Sequence, residues 1–204
     1  ILAVVLGIVV GVVAAVNHGK WVDSALMTIS VFGISAPAFW IAIILQIVIC
    51  LKFNLLPLSG IDSFKSFILP GIALGTRYAA SIARITRTSM LDVLSQDYIR
   101  TAEAKGLKGW VVTIKHALRN ALIPIITIAG SDLGNILTGS VLVESVFSIP
   151  GIGKMLVDSI NTRDLPIVQG GVMYIAVICV IMYLVVDLLY TVVDPRIRLG
   201  KESS

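Results

Sequence analysis

The chain has 204 residues, of which 57% are hydrophobic and 14% charged, with a net charge of +4. About a quarter of the residues of an ordinary soluble domain are charged, so this composition excludes one and points to lipid as the solvent. The basic residues lie between apolar runs and not on one face of a soluble domain, which argues against a nucleic-acid partner.

Five apolar segments follow in chain order, at about 1–16, 25–51, 68–91, 121–143 and 168–193. None shows period-two alternation, so the expectation is an all-α polytopic membrane helix bundle and not a barrel. The whole of 1–204 reads as one transmembrane domain. The first run, ILAVVLGIVVGVVAAV, falls short of the ~20 residues a spanning helix needs and is expected to be the end of a longer span. It has no basic flank and no cleavage pattern, so it is not a signal peptide. Its Gly7 and Gly11 form a GxxxG, either a site of close helix contact or a chance product of a glycine-rich chain. In the second run, Pro37 within GISAPAFW predicts a kink. The third is the least apolar. Pro70 suits its first turn, and Arg84 and Arg87 are expected to snorkel from its far end. Cys50 and Cys179 lie inside apolar runs and are expected as buried thiols. His18 and His116 are isolated, so no metal site is expected in this chain.

Orientation follows from lysine and arginine. If segment 96–124 is cytoplasmic, the inner side holds eleven: Lys20, Arg84, Arg87, Arg100, Lys105, Lys108, Lys115, Arg119, Arg196, Arg198 and Lys201. The outer side holds four, Lys52, Lys65, Lys154 and Arg163, with Arg77 left inside the membrane.

That segment, QDYIRTAEAKGLKGWVVTIKHALRNALIP, carries much of the basic charge. Ser95 or Asp97 is expected to cap a helix from Tyr98 to Lys105, and Gly106 supplies a left-handed stop. A second helix restarts near Lys108, with Trp110, Ile114, Leu118 and Leu122 as one apolar stripe. Thr101, Ala102, Ala104 and Gly106 would face the cytoplasm as a small-residue patch that another protein's backbone can approach. A basic loop held by anionic lipid is the alternative reading.

The segment resembles the cytoplasmic coupling loop of ABC-importer permeases. Aligned on Gly106, only Ala102, Gly106 and Leu118 match the general pattern of that loop. The wording DYIRTAEAKGL…KHALRNALIP is far more specific to the dipeptide/oligopeptide/nickel branch, where YxRTAxAKG…HALRNALxP is typical. The likeness continues through ARITRTSMLDVL, VFSIPGIGKMLVDSINTRDLPIVQG and VVDLLYTVVDPRIR, which is essentially the whole chain. It implies a type I importer permease fold with one further span before Ile1, in a prokaryotic inner membrane. It implies a second permease subunit, two cytoplasmic ATPase subunits and an external substrate-binding protein as partners. The loop at about 92–120 would then couple to an ATPase through Arg100, Thr101, Ala102, Glu103, Ala104, Lys105 and Gly106. No phosphate-binding GxxxxGK[ST] occurs in the sequence, so ATP and Mg²⁺ would belong to the ATPase subunits, and this chain would be non-catalytic and without a cofactor of its own. The cargo would be a dipeptide, an oligopeptide or a related solute such as glutathione or nickel.

Arg77, Asp132 and Asp187 are ionisable residues within apolar runs, where charge is costly and faces protein or water. Helical rise places Arg77 and Asp132 at similar depth, as an ion pair or as walls of a shared polar cavity on the translocation path. Asp132 and Asp187 also raise the rival of an intramembrane aspartyl protease, although Asp187 lies nearer the inner face and the Gly-x-Gly-Asp pattern is missing. A secondary transporter would show two related halves, and none is visible. In FSIPGIGKMLVDSI, residues 147–160, Pro150, Gly151 and Gly153 predict a turn, with Met155, Leu156 and Ile160 on the membrane surface. The resemblance makes Phe147, Pro150, Gly151 and Gly153 candidates for an outer gate or a binding-protein contact. An ordinary interfacial helix is the alternative.

Overall fold

The computed structural model describes residues 1–61, 63–137 and 141–193. Arg196, Arg198 and Lys201, counted above for orientation, lie outside them. Every regular element among the described residues is helical, as a chain in lipid requires, because only internal pairing satisfies the backbone there.

Helix α1 (Leu2–Val16) turns through Gly19, at φ +75°, into α2 (Trp21–Ser35). Ala36 is extended (φ −75°, ψ 128°), as a residue before proline prefers. Pro37 then opens α3 (Ala38–Leu45), which runs on as a π-helix, Gln46–Lys52. The two arms meet at 102°, so the second apolar run is sharply broken and not merely kinked. A short 3₁₀ turn, Phe64–Phe67, leads into α4 (Ile68–Leu94). Beyond it come α5 (Asp97–Ala104) and α6 (Gly109–Val111), a π-helical stretch (Val112–Leu118) and α7 (Arg119–Leu137). The chain continues with α8 (Val141–Val146), α9 (Ile152–Asn161) and α10 (Leu165–Val193).

Among the described residues two stretches, Gly109–Asp132 and Leu165–Leu188, are long and apolar enough to cross a membrane, and the broken α2–α3 pair makes a third if counted as one span. This is fewer than the five expected. Helix α1 has 15 residues, and α4, though 27 residues long, carries Arg77, Arg84, Arg87 and Asp92. The fourth apolar run also starts earlier than expected: its helix begins at Gly109, twelve residues before the expected start.

Helix α4 is the axis of the bundle and packs against α1, α2, α3 and α7. It passes through both apolar clusters. Leu69 and Ala73 join Ala42, Cys50, Val143 and Phe147 at one end. Ile82 and Met90 join Ala15, Ile99, Ala102, Val112, Ala117, Ala121 and Ile125 at the other. Cys50 is buried, as expected, whereas Cys179 is only half-buried on α10.

The most extensive helix packing is between α1 and α4, and it is close. A methyl group on Gly7 would lie 2.7 Å from Ile82 Cβ and 2.8 Å from the Ala79 carbonyl oxygen. On Gly11 it would lie 2.5 Å from both the Ala83 oxygen and Thr86 Cβ. The GxxxG is therefore a packing site where only hydrogen fits between the two helices.

One ion pair locks the α1–α2 turn to the same helix. Arg87 donates from Nε to Asp23 Oδ1 at 2.6 Å and from Nη2 to Asp23 Oδ2 at 2.7 Å, a bidentate fork. The Gly19 amide donates to Oδ2 at 3.2 Å. His18 Nδ1 lies 2.9 Å from Arg87 Nη2 and 3.1 Å from Asp23 Oδ2. A guanidinium only donates, so when it bonds Nδ1 the imidazole carries its proton on Nε2 and the contact with Asp23 is not a hydrogen bond. Arg87 therefore does not snorkel to a surface. It is held by a carboxylate that is 4% exposed, and α4 continues to Leu94.

Two outcomes are expected. Gly11→Val should overpack the α1–α4 contact and cost about 1–3 kcal/mol, read as a lower melting temperature of the purified subunit; an unchanged melt would refute the contact. Arg87→Ala or Asp23→Ala should each cost about 1.5–3 kcal/mol, the range for a hydrogen bond to a charged group. The double variant should cost less than the sum, and strict additivity in a double-mutant cycle would show that the fork contributes nothing.

Candidate functional site

Three regions carry the candidate residues. The first is the turn after α5. Helix α5 starts at Asp97 with Gln96 as N-cap, and no side chain caps it. Ser95 instead bonds back to the Asp92 carbonyl at 2.8 Å. Asp97 occupies the first helical position, where a carboxylate favours the helix dipole. Gly106 adopts φ +76°, the left-handed stop, and a Cβ there would meet no atom within 4 Å. The turn needs glycine for its backbone conformation and not for space.

Arg100, Thr101, Glu103, Ala104, Lys105 and Gly106 are exposed, and Arg100 makes a loose contact with Asp97 at 3.9 Å. Ala102 departs from expectation. It is 7% exposed and, with Ile99 at 1%, anchors α5 in the apolar cluster of α1, α4 and α7. The expected small-residue patch is thus Thr101, Ala104 and Gly106. The apolar stripe of the next helix is corrected too. Trp110 and Ile114 are 69% and 51% exposed, and the buried positions are Val112, Ala117, Ala121 and Ile125. The π-helical stretch shifts the register by one residue, and small side chains face the core so that α7 can approach α4. A cavity of about 650 Å³ lies beside this turn, with Ala15, Leu94, Glu103 and Trp110 among its walls.

The second region is a polar cavity of about 410 Å³ between α2, α4 and α7, lined by Ile34, Arg77, Tyr78, Ser81, Arg84 and Asp132. Arg77 and Asp132 share it, but among the described residues no ion pair closes between them. The Asp132 Oδ2 atom is shut off from solvent and has no hydrogen-bond partner. Arg77, Ser81 and Arg84 stand at i, i+4 and i+7, one stripe along α4. Arg84, like Arg77, is exposed and also lines this cavity. Ser81 and Tyr78 were not singled out from sequence, although the i, i+4, i+7 spacing of Arg77, Ser81 and Arg84 is a signal that marks such a face. Asp187 is exposed on α10 and is not among the residues lining this cavity, so the two carboxylates that an aspartyl protease needs do not share it. No group of three or more histidine, cysteine, aspartate or glutamate residues suited to a metal ion occurs among the described residues.

The third region is the segment between α8 and α9. Glu144 organises it: its Oε2 accepts from the Lys154 amide at 2.8 Å in the first turn of α9, and its carboxylate lies directly against Gly151. A methyl on Gly153 would fall 2.8 Å from Val141 Cγ2 and 3.1 Å from Glu144 Oε2. Phe147 is 2% exposed within the apolar cluster around Ala42 and Ala73, and its carbonyl accepts from the Gly60 amide at 3.1 Å. Of the four residues named for the outer mouth, Phe147 therefore serves as an anchor, while Pro150 is exposed. Gln46 ties the same region together by donating to the carbonyls of Leu58 and Val146 at 2.8 and 3.0 Å. Met155 and Ile160 are exposed on α9, whereas Leu156 is half-buried against Gly171 of α10. Neither Glu144 nor Gln46 stood out in the sequence, since a single polar residue in an apolar helix does not name its partner.

Comparison with known proteins follows the same lines. Residues 7–199 match the family described as the binding-protein-dependent transport system inner membrane component. The chain is 46% identical over 203 residues to the dipeptide transport system permease protein DppB of Bacillus subtilis, an alignment covering 100% of this chain and 66% of that protein. It is 45% identical over 196 residues to the glutathione transport system permease protein GsiC of Escherichia coli K12, covering 96% of this chain and 64% of that protein. The chain spans about two thirds of the length of these relatives. With its family matched along nearly its whole length and a helical bundle built around a charged central helix, the chain belongs to the family of inner-membrane components of binding-protein-dependent transport systems.

Proposed function

We propose that this chain is the permease subunit of an ATP-driven importer, forming part of a path for di- or oligopeptides or a related small solute such as glutathione. The observation that carries this reading is the charged face of α4. A helix at the centre of a membrane bundle presents Arg77, Ser81 and Arg84 to a cavity that also holds Asp132. Ionisable side chains at membrane depth are costly unless they face water or one another, and a lined path supplies that water. The names of the two relatives, a dipeptide and a glutathione permease, support the cargo class.

In this reading the chain crosses the membrane five times, by α1, the broken α2–α3 pair, α4, the α6–α7 rod and α10. Helix α4 is about 40 Å long at 1.5 Å per residue, ample for a hydrocarbon core of about 30 Å. Its Arg77 and Arg84 face the cavity, its Arg87 pairs with Asp23, and its apolar residues face α1 and α3. A second permease subunit completes the path, and an external binding protein delivers cargo near Pro150, Gly151 and Gly153. Two cytoplasmic ATPase subunits serve the permease pair, and one of them docks on the turn from Arg100 to Gly106 of this chain. Because Ile99 and Ala102 root α5 in the cluster shared by α1, α4 and α7, a push on the exposed face of α5 reaches the spans as a rigid-body movement. Phosphate chemistry resides in the ATPase subunits.

The Gly106→Val variant should strain the left-handed turn by about 1–3 kcal/mol and uncouple ATP hydrolysis from uptake in proteoliposomes, while Gly106→Asn, which tolerates that conformation better, retains coupling. Normal coupling with valine would sink the docking assignment. For topology, single cysteines at Lys108 and Lys154 should differ toward an impermeant thiol reagent added outside intact cells. Lys154→Cys is expected to be labelled and Lys108→Cys shielded, and the reverse pattern would invert the orientation.

A further inference from the structure

We propose, resting on the importer reading, that the cavity between α2, α4 and α7 is a binding site for a small zwitterion. The cargo carboxylate is held by the guanidiniums of Arg77 and Arg84 and its ammonium group by Asp132. The cavity has about 410 Å³, within the ~300–1,000 Å³ typical of small-molecule sites. Its charge inventory is unequal, with two guanidiniums facing one carboxylate. Arg77 and Arg84 are seven residues apart on one face of α4, about 10.5 Å along the axis, so their flexible side chains approach a single anion from above and below. Ser81 lies between them as a neutral donor, and Tyr78 completes the polar wall.

Asp132 is the second, independent sign. Its Oδ2 atom is buried without a donor, and leaving an acceptor unpaired is expensive, more so when it is charged. The two arginines do not satisfy it. A primary ammonium group entering the cavity supplies three donors and the opposite charge. A guanidinium fork matches a carboxylate in the same way. A molecule with both ends satisfies the whole inventory at once. A simple anion leaves Asp132 orphaned and adds a like charge beside it. A bare divalent cation fares worse, because it needs several oxygen ligands and meets one carboxylate beside two fixed positive charges.

The test uses the full-length subunit in its assembled transporter, with Ser81→Cys as the only reactive thiol. Modification is followed with two methanethiosulfonates, one carrying a sulfonate and one a trimethylammonium group, each normalised to its rate with a free thiol. The sulfonate reagent should react about tenfold faster, and Arg77→Gln with Arg84→Gln, which leaves the Asp132 charge alone, should reverse the preference in that variant only. Alanyl-alanine should slow modification, and its C-terminal amide and its N-acetyl derivative should each do so at least about tenfold less well. Faster reaction with the cationic reagent, equal protection by the amide or the N-acetyl derivative, or stronger protection by Ni²⁺ than by the dipeptide would each overturn the site. ATP-driven uptake of labelled alanyl-alanine separates this from the importer reading. Protection without uptake sinks the importer reading for this cargo and leaves the site standing. Uptake unchanged in Arg77→Gln, Arg84→Gln and Asp132→Asn removes the site and leaves the importer.

Discussion

The contact on which the rest of the bundle depends is the backbone approach of α1 to α4 at Gly7 and Gly11. Lipid gives no hydrophobic reward for joining two apolar helices, so association rests on how closely their atoms pack. At these two glycines α4 presents the carbonyl oxygens of Ala79 and Ala83 and the side chains of Ile82 and Thr86 at distances where no methyl group fits. That seam uses one face of α4. The arginines must then lie on other faces, and the structure turns them in two directions: Arg87 to Asp23, and Arg77 and Arg84 to the cavity with Asp132.

The same helix thus carries two solutions to the problem of charge in a membrane. Arg87 is matched within the chain by a bidentate carboxylate, with the Gly19 amide taking a further lone pair. A charge so matched can stay put, and it fixes the α1–α2 turn against α4. Arg77 and Arg84 have no ion pair among the described residues and open onto free volume. A matched charge holds structure together, whereas an unmatched one in a cavity is available to something that enters it.

At the two ends, small buried features position exposed ones. The turn at Gly106 is exposed and locally determined, but its placement comes from Ile99 and Ala102 in the cluster shared with α1, α4 and α7. At the other end, Glu144 holds the first turn of α9, and Phe147 roots the loop before it. Both exposed segments are therefore extensions of the core around α4.

Much of this was legible from the sequence alone. Composition and helical period determined that the chain is a membrane bundle, because burying so many apolar residues in lipid leaves few alternatives to helix. Local steric rules marked the break at Pro37 and the left-handed turn at Gly106, since both depend on one residue's backbone. The DYIRTAEAKGL…KHALRNALIP wording named the family. The tertiary structure alone decided which charges meet. Asp23 and Arg87 are sixty-four residues apart, and no local pattern links them. The buried side of the 112–125 helix passed to Val112, Ala117, Ala121 and Ile125 because a π-helical stretch changes the period that sequence reading assumes. Ala102, small and next to exposed residues, read as surface and proved to be core, because a small side chain suits both a docking patch and a close helix contact, and only the position of α4 chooses between them.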